Sequence, residues 1–146
     1  MNIATVSRSI ELDYGHTLPN HFSFCNQIHG HRAKVTAVVK GEICGEEGSS
    51  NQGMVCDFII IKKILTEEVH DCLDHGFAVW KDDEKDLEFI KSRNKRFLVT
   101  NEPPTAEYLA KWAFNKVKLK LPENIKLMKI YWQETPTSVA IYEGEK

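Results

Sequence analysis

No apolar run in this chain approaches the ~20 residues needed to cross a bilayer, so a helical membrane span is not expected. The opening stretch MNIATVSRSIELDYGH has no long uninterrupted apolar segment of the kind a secretory signal carries. No charge of one sign dominates: the formal net charge of -2 gives no reason to expect nucleic acid or an anionic membrane as a partner. The four cysteines (Cys25, Cys44, Cys56 and Cys72) include no C-x-x-C pair, which weakens a structural zinc reading. Without an export signal they are expected as free thiols in a reducing cytoplasm. Internal repeats and low-complexity segments are also missing. What remains is an ordinary globular mix, 42% hydrophobic and 27% charged over 146 residues. That length fits one domain over 1–146, able to bury roughly two-thirds of its unfolded surface without staples.

Periodicity organises the chain. Ile10, Leu12 and Tyr14 alternate with Glu11 and Asp13, and His16 continues the apolar parity of this first strand. A second strand from His31 to Gly41 sets Ala33, Val35, Ala37 and Val39 on one face and Arg32, Lys34 and Lys40 on the other. The stretch GEICGEEGSSNQG reads as a turn-rich link. Asp57 is positioned to cap a helix through FIIIKKILTEEVHDCL, and Thr105 to cap a second with the stripe Leu109, Trp112, Ala113, Val117 and Leu121. Two strands near 126–134 and 138–142 follow. Residues 76–103 fit a short helix and a short strand. The order predicts an α+β domain with helices packed on an antiparallel sheet.

CNQIHGH, residues 25–31, holds the chemistry. His29 and His31 stand two apart at the start of a strand, so their side chains share the apolar face. His16 offers a third imidazole. Three neutral imidazoles leave a zinc ion an open position, which is the catalytic arrangement. The competing reading, ordinary core or surface histidines, stays open because H-x-H alone is a weak motif. Cys25 lies close enough to face the same cavity, where a nearby cation would favour thiolate. Asp74 and His75 form a carboxylate–imidazole pair if they touch, which adjacency does not guarantee. Glu134 shares parity with Met128, Ile130 and Trp132, so it is either a buried carboxylate needing a partner, such as the forked N–H edge of a pterin or guanine, or an exposed strand end. His21 and His70 are read as surface residues.

GHTLP (15–19), CNQIHGH (25–31), GMVCDF (53–58), LDH (73–75), PTAEYLAKW (104–112) and QET (133–135) together resemble the 6-pyruvoyltetrahydropterin synthase / 6-carboxytetrahydropterin synthase family. The resemblance implies a T-fold: a four-stranded antiparallel sheet with two helices on one face, oligomerising into a barrel as a homotrimer or homohexamer. It implies zinc as cofactor, held by His16, His29 and His31. It implies Cys25, Asp74 and His75 as catalytic residues, and Glu134, Thr105 and Glu107 as substrate-binding residues for a pterin. The three residues between Cys25 and His29 match the 6-carboxytetrahydropterin synthases of 7-deazaguanine (queuosine) biosynthesis. The implied reaction turns 7,8-dihydroneopterin triphosphate into 6-carboxytetrahydropterin, releasing acetaldehyde and triphosphate. The alternatives are pyruvoyl synthase activity on the same substrate and a non-catalytic pterin- or purine-binding paralogue.

Two departures stand out. HGH is followed by Arg32-Ala33 rather than HGHNY-like text, and some twenty extra residues within 76–103 separate LDH from the PT motif. That insertion can reshape the pocket rim or the oligomer contacts. Its KSRNKR run reads either as a triphosphate contact or as a solvated charge run.

Overall fold

The computed structural model describes residues 2–146. Strands β1 (Ile3–His16) and β2 (His29–Glu42) form a long antiparallel hairpin whose register runs from Ile3 opposite Glu42 to His16 opposite His29. Next come α1 (Phe58–Leu65), a π turn (Thr66–His70), α2 (Asp71–Leu73) and β3 (Gly76–Trp80). Then follow α3 (Glu84–Arg93), β4 (Phe97–Thr100), α4 (Ala106–Lys118), β5 (Ile125–Thr135) and β6 (Ser138–Tyr142). The strands form one sheet in the order β4-β3-β1-β2-β5-β6.

The helices start where the sequence places their caps. Asp57 Oδ1 accepts from the Ile59 N–H at 3.0 Å, and Thr105 Oγ1 accepts from the Tyr108 N–H at 3.1 Å. Ile61, Leu65, Val69 and Leu73 recur every four residues and are all fully buried. At about 100° per residue, each step of four overshoots a turn by about 40°. Wider bonding at Thr66–His70, where the Asp71 N–H reaches the Thr66 carbonyl, takes up that excess and keeps the stripe on the sheet. These residues join Leu12, Val35, Leu109, Ala113, Ile130 and Trp132 in one core. Each large side chain fully removed from water contributes about 1.5–3 kcal/mol.

The sheet differs from the four antiparallel strands expected. It has six, and β3 pairs parallel with both β1 and β4. The two extra strands and α3 all fall within 76–103. Ala78 and Leu98 face the main core, while Phe77, Val79 and Phe97 turn the other way and pack with Leu87 and Ile90 of α3. A helix therefore lies on the second face as well. Four of the five residues of GFAVW are buried, which leaves a continuous apolar run without period-2 alternation.

Candidate metal centre and its carboxylate–imidazole neighbour

The hairpin register assembles the centre. His16 lies opposite His29, and His31 lies opposite Tyr14, so the three imidazoles emerge on the helix-side face at one end of the sheet. Their donor atoms all lie within 4.8 Å of one another. His16, only 1% exposed, donates from Nδ1 to the Pro104 carbonyl at 2.7 Å, and His29 donates from Nδ1 to the Gln27 carbonyl at 2.7 Å. Both bonds fix the tautomer that leaves Nε2 with a lone pair, the usual outer support of a metal-binding imidazole. His29 Nε2 is buried with no hydrogen-bond partner. His16 Nε2 and His31 Nε2 stand 3.1 Å apart, against about 3.3 Å for two nitrogens held tetrahedrally on zinc at about 2.0–2.1 Å. Burial pushes His16 down to about 4, and burial also lowers His31 against the opposing pull of Glu134. Both are neutral at pH 7, as ligands must be. The donor set fits zinc.

Glu134 closes one side of this cluster. Its Oε1 lies 3.5 Å from His16 Nε2 and from His31 Nε2, and the Tyr14 hydroxyl donates to it over 3.4 Å. The carboxylate is half-buried, so it stands neither fully in the core nor at an exposed strand end. Burial pushes the Tyr14 phenol well above its ordinary range, which keeps it a donor, and its oxygen accepts from Trp132 Nε1 at 3.3 Å. Tyr14 escaped the sequence reading, although it shares the parity of His16.

Cys25 sits half-buried in a single 3-10 turn, Phe24–Asn26. The Leu18 N–H donates to its carbonyl at 2.9 Å and Thr17 Oγ1 to the Asn26 carbonyl at 2.8 Å, which folds this loop back onto the residues after His16. The metal-binding group consists of imidazoles alone, with Cys25 outside it. Thr105 follows Pro104, so the residue that caps α4 adjoins the carbonyl that orients His16; Glu107 is exposed on the first helical turn.

Asp74 and His75 do touch, with His75 Nδ1 2.8 Å from Asp74 Oδ2. His75 has a left-handed φ of 59° and is 81% exposed, leaving Nε2 to solvent. The pair is fastened to the edge of β1: the Asp13 N–H donates to Asp74 Oδ1 at 2.9 Å, and the His75 N–H donates to the Asp13 carbonyl at 2.7 Å. Burial pushes Asp74 up, but the Asp13 N–H and the His75 imidazole outweigh it and hold the carboxyl below its ordinary value. His70, read from sequence as a surface residue, is half-buried and places Nε2 3.5 Å from the same carboxylate. Its i,i+4 spacing to Asp74 was the available signal. Among the described residues no hydrogen bond joins the pair to Cys25.

Residues 5–145 match the profile of the family described as 6-pyruvoyl tetrahydropterin synthase. The chain is 28% identical over 141 residues to the 6-carboxy-5,6,7,8-tetrahydropterin synthase of Haemophilus influenzae, covering 94% of this chain and 97% of that protein. It is 32% identical over 142 residues to a putative 6-carboxy-5,6,7,8-tetrahydropterin synthase of Pyrococcus horikoshii, covering 89% and 83%. It superposes on the 6-pyruvoyl tetrahydropterin synthase of Caenorhabditis elegans with a TM-score of 0.71 at 28% identity, over 99% of this chain and 98% of the other. The Plasmodium vivax enzyme of that name, at 18% identity and a TM-score of 0.77 over both whole chains, attests the fold. With the imidazole cluster, the Asp74–His75 pair and Glu134 set on this sheet, the chain belongs to the 6-pyruvoyl tetrahydropterin synthase family, a T-fold with a six-stranded sheet.

Proposed function

We propose that this protein is a zinc-dependent 6-carboxy-5,6,7,8-tetrahydropterin synthase of 7-deazaguanine (queuosine) biosynthesis, working in the cytoplasm. It converts 7,8-dihydroneopterin triphosphate and water into 6-carboxytetrahydropterin, acetaldehyde and triphosphate. The observation that carries this reading is the cluster of three imidazoles, two with Nδ1 tied to carbonyls and one Nε2 buried without a partner. The names of the curated relatives support the carboxy product.

His16, His29 and His31 hold the zinc, which when bound polarises the side-chain hydroxyls of the substrate. Glu134 accepts the paired N–H groups of the pterin ring, with the Tyr14 hydroxyl orienting its Oε1. Thr105 and Glu107, at the start of α4, contribute to binding the substrate. The Cys25 thiolate takes a proton from a substrate carbon. His75 exchanges a proton at Nε2 while Asp74 fixes its tautomer through Nδ1.

The protein assembles into a homotrimer or homohexamer. Two features favour it. β1 pairs with β3 only over Tyr14–His16, β6 pairs only with β5 and β4 only with β3, so three strand edges lack strand partners among the described residues. Phe22 and Phe24, 95% and 85% exposed, precede Cys25 as apolar surface seeking cover.

Zinc-loaded protein incubated with 7,8-dihydroneopterin triphosphate is expected to release acetaldehyde in step with triphosphate. Triphosphate without acetaldehyde, and a pyruvoyl group at C6, would make it the pyruvoyl synthase that the family description and the Caenorhabditis elegans structure name.

A further inference from the structure

Three cations lie beside His75 with no acidic partner among the described residues. Arg93 ends α3, and Lys95 and Arg96 follow before β4 begins at Phe97. With Asp74, His75 and Asn94 they line an opening of about 550 Å³. All three are exposed. Basic residues in the last turn of a helix complement its dipole, which accounts for Lys91 and Arg93. It does not account for Lys95 and Arg96, which stand beyond the helix end.

Their placement is fixed rather than floppy. The Asn94 N–H closes α3 on the Ile90 carbonyl, and Phe97 pairs in parallel with Phe77, so residues 94–96 are tied at both ends. The Arg96 stem passes so close to Gly76 that a Cβ there would meet its Cγ at 2.9 Å. Arg96 Nη1 donates to the Asp74 carbonyl at 2.8 Å, leaving its other N–H groups for a ligand. The other cation near His75, Arg32, is already held by both oxygens of Asp13.

We propose that Arg93, Lys95 and Arg96 form a polyphosphate cradle that holds the triphosphate of the substrate beside His75. The assignment rests on the substrate named above and deepens it: 76–103 contributes a binding segment as well as a wider sheet. Guanidinium groups match phosphate oxygens two at a time, and the lysine adds a mobile point charge. A chain of net charge -2 gains little long-range attraction for a polyanion, so a local cationic cluster must supply it. The cradle also sets the leaving group next to the exposed imidazole of the Asp74–His75 pair.

The test is calorimetric titration of the full-length protein with inorganic tripolyphosphate, zinc-loaded and metal-free. Binding is expected in both forms, weakening steeply with salt. Arg93→Glu/Lys95→Glu is expected to weaken it at least tenfold and to raise KM for 7,8-dihydroneopterin triphosphate far more than it lowers kcat. Arg93→Lys/Lys95→Arg should retain both. These positions are exposed and outside the core, and a thermal melt verifies folding; Arg96→Lys gives an independent variant that keeps the stem against Gly76. Unchanged affinity in the charge-reversed variant, or binding only when zinc is present, overturns the cradle. Tripolyphosphate binding without turnover overturns the reaction proposed above and leaves the cradle standing; turnover with a KM indifferent to these residues does the reverse.

Discussion

Asp74 Oδ1 accepts the backbone N–H of Asp13 at 2.9 Å, three residues before His16 of the imidazole cluster on the same strand. At about 3.3 Å per residue this puts roughly 10 Å of rigid strand between the two anchoring points. The carboxylate thus serves both the backbone of β1 and the His75 imidazole. Asp74→Asn keeps an oxygen for the Asp13 N–H and removes the charge that holds His75 in its tautomer. We expect kcat to fall about 10²–10⁴-fold with the thermal midpoint little changed. Asp74→Ala also orphans the Asp13 N–H and should lose a further 1–3 kcal/mol or so of stability. Equal activity in wild type and Asp74→Asn would remove the pair from the mechanism.

Acid should destabilise the metal-free protein through His16, with His31, also lowered by burial, adding to the decline. The folded-state pKa of His16 is about 4, against an ordinary 6.5, because burial opposes the charged form. Between those values the unfolded chain binds the extra proton, so stability is full above pH 6.5 and declines as pH falls toward 4. The loss can reach about 3 kcal/mol. Asp74, also held low, adds to the decline further down. Urea titrations at pH 7.5, 5.5 and 4.5 measure it, and His16→Gln should flatten that part of the profile. A profile as steep in His16→Gln as in wild type would place the acid sensitivity elsewhere.

The sequence made the hairpin, both long helices and their caps legible, because alternation and four-residue spacing over ten or more residues leave little choice of period. It also placed His16, His29 and His31 on one apolar face, since parity alone decides that. Three things were hidden for identifiable reasons. GFAVW is apolar on both faces, so β3 carried no alternation, and its parallel partner β4 lies seventeen residues downstream across α3. Tyr14 looked like core, and only the approach of Trp132 and Glu134 from β5 gives its hydroxyl a role. His70 reaches Asp74 across the end of a π turn; the i,i+4 spacing hinted at the contact, but spacing alone does not tell whether the two side chains meet.

Gly15 is a packing device between Tyr14 and His16. A Cβ there would stand 2.6 and 2.8 Å from two ring carbons of Phe77. Phe77 is 5% exposed and wedged with Val79 and Ile90, so the ring has little room to retreat. Gly15→Ala should cost about 1–3 kcal/mol. Combining it with Phe77→Leu should cost less than the sum of the two single changes, because the smaller side chain relieves the collision. Additive losses in a double-mutant cycle would show that the strain lies in the backbone instead.

Removing zinc should silence the enzyme without unfolding it. Leu12, Val35, Ile61, Leu109 and Trp132 are at most 2% exposed and belong to one apolar cluster that contains none of the three imidazoles, so hydrophobic burial rather than metal ligation holds the core. The two histidines should then separate folding from binding. His16→Ala leaves the Pro104 carbonyl unpaired and a void in the core, costing the metal-free protein about 2–4 kcal/mol. His29→Ala deletes an imidazole whose Nε2 is buried without a partner and returns the carbonyl of exposed Gln27 to water, so the metal-free protein should stay within about 0.5 kcal/mol of wild type. Both variants should lose bound zinc by elemental analysis and lose turnover with it. Chelation that collapsed the far-ultraviolet circular dichroism of the wild type would mark the metal as structural. The His29→Ala result separates the two cases directly, since a structural site cannot lose a ligand and keep its stability.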